Sequence, residues 1–173
     1  RAIMALFSAA TGALIFWWSR RLFGTAAGFF SLTLYALCPN VLAHAPLTTS
    51  DTTAVFFLLA AVTAFWLHIS APTWRSNLLS AGVFSLACVA KFSAVLLLPM
   101  MALLLAWRIL RDAAGTRHRW WRLAAEGVVV HAGVAVFVIW AFYGFRYSAF
   151  APDLPPASQF LAPWDHVVQY IGF

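Results

Sequence analysis

Long apolar runs separated by short polar breaks dominate this chain. The first runs from Ala2 to Ser19 and is closed by Arg20 and Arg21. The second runs from Leu22 to Cys38 and meets Pro39 and Asn40, residues that stop a helix. A polar stretch, His44 to Thr53, leads into a third run, Ala54 to Ile69, which ends at an Ala71–Pro72 turn. Leu123 to Phe145 is the last clear run. Each approaches the roughly 20 apolar residues that a membrane-crossing helix needs.

Leu78 to Trp107 is ambiguous. As one helix of about 30 residues it would be about 45 Å long, too long for one comfortable span and short for two. Charge placement decides. Cytoplasmic loops of membrane proteins collect Lys and Arg. If the stretch turns near Lys91, then Arg20, Arg21, Arg75, Arg108, Arg111, Arg117, Arg119 and Arg122 share one side, and Arg1, Lys91 and Arg146 lie on the other. One unbroken span would split the arginines between both sides. The turn is therefore preferred.

The expected fold is all-α: a polytopic transmembrane bundle over 1–146, with spans at about 2–19, 22–38, 54–70, 76–90, 92–110 and 123–145. Both chain ends fall on the external side. From 147 to 173 the pattern changes. Four prolines, Pro152, Pro155, Pro156 and Pro163, mark an external loop. Trp164, Val167, Val168 and Ile171 then repeat at helical spacing, opposite Asp165, His166 and Gln169. This predicts a short amphipathic helix lying on the membrane surface.

Composition supports the class. Hydrophobic residues make up 64% of the 173, and charged residues only 9%, against roughly 25% in soluble domains. A soluble globular enzyme, a disordered tail and a disulfide scaffold are excluded. The net charge of +6 is a topology signal, since the basic residues alternate with membrane-length runs; no nucleic-acid partner is implied. Cys38 and Cys88 sit among apolar residues, and no spacing names a metal or cofactor. The preponderance of Arg over Lys, with frequent Ala and Trp, points to a GC-rich bacterial genome, and a multi-pass chain from such a source is expected in the inner membrane. Residue 1 is Arg and opens directly into an apolar run, which predicts a piece of a longer protein.

Few residues remain for chemistry. On the external side lie His44 and Asp51 between the second and third spans, Lys91 at the turn, and Arg146 after the last span. Charges close to hydrocarbon are costly and mark sites or partners. Asp51, in Thr48-Thr49-Ser50-Asp51-Thr52-Thr53, reads either as a first-turn acid favoured by the helix dipole or as a carboxylate in an external cleft, orienting an acceptor or holding a cation. Lys91, the only lysine, reads either as a snorkelling side chain or as a phosphate-binding cation beside Ser93. Arg146 reads as an interfacial anchor or a second phosphate ligand. His131, within the last span, suits an interhelical hydrogen bond. Glu126 is expected to pair with a neighbouring arginine, and the basic segment Arg108–Arg122 to rest on anionic lipid.

Four segments, Arg20-Arg21-Leu22-Phe23-Gly24, Cys38-Pro39-Asn40-Val41-Leu42-Ala43-His44, Thr48-Thr49-Ser50-Asp51 and Lys91-Phe92-Ser93-Ala94, together resemble the membrane-embedded GT-C glycosyltransferases. Within these the chain is similar to the phospholipid-carrier-dependent branch that includes protein O-mannosyltransferases and lipid A aminoarabinose transferases. The resemblance implies a sugar donor on a polyprenyl phosphate, transfer on the periplasmic face with inversion, and a catalytic base in a loop ahead of residue 1. It implies that Asp51 is the family's second acidic position and Lys91 its basic residue near the carrier phosphate. His44 and Arg146 are further candidates for head-group contact. Alternatives are a transporter or lipid flippase fragment, or a non-catalytic membrane assembly subunit.

Overall fold

A computed structural model describes residues 2–44, 50–112 and 117–144. Among these residues all regular structure is helical. In chain order the helices are α1 (Ala2–Phe23), α2 (Thr25–Ala36), α3 (Pro39–His44), α4 (Ser50–Ser70), α5 (Trp74–Ala90), a 3-10 turn (Phe92–Leu96), α6 (Leu97–Arg111) and α7 (Arg117–Phe142). Ala2–Phe23, Asp51–Ser70, Phe92–Arg111 and His118–Phe142 are each long and apolar enough to cross a membrane. At 12 residues, α2 spans about 18 Å; α5 has 17 residues.

The helix ends differ in detail from the ends of the apolar runs. Arg20 and Arg21 occupy the last turn of α1 and do not terminate it. Arginine is a good helix former, and its charge favours the negative end of the helix dipole. The break comes at Gly24, whose φ of +95° suits glycine. Pro39 ends no helix of its own; it is the first residue of α3, where its missing N–H has no intrahelical partner to lose. Thr73 caps α5 through a reciprocal pair with Ser76.

Ring and hydrogen-bond contacts set the helix directions. Tyr35 donates its hydroxyl to the Ser8 carbonyl at 3.0 Å, and Phe16 meets Phe29 edge-on, so α1 and α2 are antiparallel. They approach closely where glycine permits: a Cβ on Gly28 would lie 3.0 Å from the Phe16 carbonyl oxygen. Thr53 reaches Met4, Phe7 meets both Phe56 and Phe57, and Trp18 meets Trp66. The nearly constant sequence offset makes α1 and α4 parallel. His68 Nδ1 and Ser76 Oγ, 2.9 Å apart, close the α4–α5 turn.

A small core of Ala61, Phe65, Phe84, Ala87, Leu97 and Met101 joins α4, α5 and α6. Many large apolar side chains elsewhere, such as Phe30, Leu103 and Val129, are exposed. In a bilayer these face lipid tails, so helix association rests on close packing and interhelical hydrogen bonds more than on removing apolar area from water. His131 supplies such a bond, as its position predicts: Nε2 lies 3.0 Å from Ser80 Oγ on α5, while Nδ1 lies 2.8 Å from the Gly127 carbonyl oxygen.

By backbone contacts the chain divides into Arg1–Ile139 and Trp140–Phe173. Of the second unit, residues 140–144 are described: the end of α7 and a turn with Gly144 at φ +66°. The loop and surface helix expected over 147–173 lie outside the described residues.

Candidate active site

Asp51 and Lys91 come together. Asp51 stands in the first turn of α4. Lys91 is an extended residue between α5 and the 3-10 turn, with φ −161° and ψ 142°. Its Nζ donates to Asp51 Oδ1, and both side chains are about half exposed. The backbone at Lys91 is fully used: its N–H donates to the Ala87 carbonyl at 3.1 Å, and its carbonyl accepts from Ala94 N–H at 3.0 Å. α5 therefore finishes cleanly and a new helical segment starts at once, leaving the ammonium at the helix break. Beside it Phe92 is 89% exposed, an apolar side chain next to two charges, as expected at a membrane interface.

The arginines lie at the other end. Arg20 and Arg21 finish α1, Arg75 stands near the start of α5, Arg108 and Arg111 close α6, and Arg119 and Arg122 begin α7. The contacts of Trp18 with Trp66, His68 with Ser76, and Arg108 with Trp120 set these helix ends side by side. α4 is 21 residues long, so the two ends are about 30 Å apart. The acid paired at the arginine end is Asp112: its Oδ1 lies 3.1 Å from Arg108, and its Oδ2 accepts from Trp120 Nε1 at 2.7 Å.

His44 is the last residue of α3; its side chain, and all of Arg146, lie outside the described residues. Among the described residues no group of three or more His, Cys, Asp and Glu side chains is placed to hold a metal ion. Two histidine–serine hydrogen bonds, His68–Ser76 and His131–Ser80, tie helices together; the serines carry no periodicity signal that singles them out from other small residues.

These features define a multi-pass membrane protein with a charged pair at one end of its bundle. A family model described as dolichyl-phosphate-mannose-protein mannosyltransferase matches residues 1–143, and the chain belongs to this family of membrane glycosyltransferases of the GT-C type. No curated protein and no solved structure shows a significant match. Membership places the chain in a sugar-transferring enzyme class and favours that reading over the transporter and assembly-subunit alternatives.

Proposed function

We propose that the protein transfers a sugar from a polyprenyl-phosphate carrier to an acceptor on the external face of the membrane, at the end of the bundle that holds Asp51 and Lys91. The observation that carries this reading is the Asp51–Lys91 pair at a helix break, opposite the arginine end, in a chain of the mannosyltransferase family. The positive-inside rule assigns the arginine end to the cytoplasm, and hence the pair to the outside.

The chemistry follows from the charges. An acceptor hydroxyl attacks the anomeric carbon as the bond from that carbon to the carrier phosphate breaks. The bonding electrons leave with the phosphate, and a carboxylate takes the hydroxyl proton. Negative charge on the phosphate grows toward the transition state, so a fixed cation beside it stabilises the transition state more than the ground state. Lys91 is that cation. Asp51 holds the ammonium in place and keeps a carboxylate beside the reacting groups. His44 and Arg146 stay candidate head-group contacts on their place in the sequence. The prenyl tail lies along apolar helix faces, so polar recognition is confined to the head group.

Polyprenyl-phosphate mannose is the first donor to assay, given the family's description. Lys91→Ala is expected to raise the KM for donor and lower kcat while the protein still inserts in membranes. Asp51→Asn is expected to lower kcat. Unchanged transfer kinetics in both variants would remove the pair from the reaction.

A further inference from the structure

A second feature lies far from the charged pair. A cavity of about 320 Å³ opens among α4, α5, α6 and α7. Its wall is almost wholly apolar, with Phe65, Met101, Leu105, Trp120 and Val128 among the lining residues. Leu98 on α6 and Val128 on α7 are both lining and exposed, so the cavity opens sideways between these helices, where the protein meets lipid tails. Gly127 lines it, and a Cβ built there meets nothing within 4 Å.

Its extent suits one hydrocarbon chain. Lining residues on α7 run from Trp120 to Ala132, about 18 Å of helix. Half of a bilayer's hydrocarbon core is about 15 Å thick. The cavity starts at the arginine end and runs inward as far as Leu98 and Phe84, each seven residues from Lys91, so it is about as deep as one leaflet and ends about 10 Å of helix short of Lys91.

The mouth is built for a negative head group. Among the described residues four arginines lie over tryptophan rings, all at this end: Arg108 on Trp120 and Arg111 on Trp107 beside the opening, Arg75 on Trp74 at the start of α5, and Arg21 on Trp17 on α1, away from the opening. Tryptophan favours the level of the lipid head groups, and arginine binds phosphate through a planar fork of donors. Arg119 and Arg122 add exposed charge at the start of α7. The acids on these segments are Asp112, engaged by Arg108 and Trp120, and the exposed Glu126. The local balance stays strongly positive. Trp120 links the two parts, since it lines the cavity and lies under the Arg108 guanidinium.

We infer that this cavity holds one acyl chain of an anionic glycerophospholipid from the leaflet at the arginine end, with the lipid phosphate among the arginines. The site is separate from the sugar-transfer site, and its occupancy does not depend on that reading. The lipid fills space that would otherwise be a void between α6 and α7, and so it props α7 against α5.

Photocrosslinking tests this on the whole chain reconstituted in nanodiscs. Phosphatidylglycerol and phosphatidylcholine, each with a diazirine near the end of one acyl chain, are the probes, and labelled peptides are mapped by mass spectrometry. Phosphatidylglycerol is expected to label peptides containing Met101, Leu105 and Val128 in preference to phosphatidylcholine. Gly127→Leu, which places a side chain in the cavity, is expected to abolish that labelling. Arg119→Gln with Arg122→Gln, on exposed positions, is expected to erase the preference for phosphatidylglycerol. Equal labelling by both lipids in the unaltered protein overturns the proposal, as does labelling that persists in Gly127→Leu. Labelling of the cavity by a diazirine polyprenyl phosphate but not by phosphatidylglycerol overturns it in favour of the carrier tail. Absence of any lipid label overturns it in favour of a protein occupant.

Discussion

Lys91 donates to Asp51 across 40 positions of sequence, joining the break after α5 to the first turn of α4. Both side chains are about half exposed, and exposed ion pairs contribute only about 0–1 kcal/mol to stability. The pair is thus poorly suited to holding the fold and well suited to meeting a charged ligand. Lys91→Ala is expected to shift unfolding in detergent by less than about 1 kcal/mol and, on the proposed function, to lower transfer strongly. A loss of stability matching the loss of activity would assign the pair a structural role.

The Ser80–His131 hydrogen bond makes the opposite prediction. It is buried and joins α5 to α7. Interhelical hydrogen bonds within membranes contribute about 0.6 kcal/mol on average and up to about 1.7. Ser80→Ala and His131→Phe are each expected to destabilise the protein, with a positive coupling between them in a double-mutant cycle. Simple additivity of the two effects would show that the bond contributes nothing to helix association.

Gly28 tests the α1–α2 contact. Its missing side chain leaves room for the Phe16 carbonyl and the Arg20 Cβ, each 3.0 Å from where a Cβ would stand. Gly28→Ala forces these helices apart, at an expected cost of about 1–3 kcal/mol for overpacking, even though alanine is the better helix former. Thermal unfolding of the variant checks this. Gly133→Ala is the control, because a Cβ there meets nothing within 4 Å.

Orientation is open to cysteine labelling in intact cells, after Cys38 and Cys88 are replaced by serine. Phe92→Cys is expected to react with a membrane-impermeant reagent from outside, and Gly115→Cys only after the membrane is opened. The reverse pattern would place the Asp51–Lys91 end in the cytoplasm and exclude an external reaction.

The class of fold was legible because hydrocarbon imposes one requirement on sequence, a long apolar run, and this chain meets it repeatedly. Asp51 and Lys91 were legible as candidates because charges are scarce here and each sits next to an apolar run. That they pair was not, because the contact joins distant segments and no local pattern records it. Helix ends were less legible than apolar runs: hydropathy reports where lipid is, and α1 continues through Arg20 and Arg21 to Gly24. Pro39 looked like a stop because proline breaks helices, yet the same ring geometry starts α3. The cavity was invisible for a different reason. Its lining residues are ordinary apolar side chains of four helices, and the gap exists only in how those helices pack.

Equilibrium binding of polyprenyl phosphate, without the sugar, to the purified protein tests most directly the claim that Lys91 holds the carrier phosphate. The unaltered protein and Lys91→Arg are expected to bind it, and Lys91→Ala to bind it far more weakly at the same level of folded protein. Equal binding by the unaltered protein and Lys91→Ala would contradict the account.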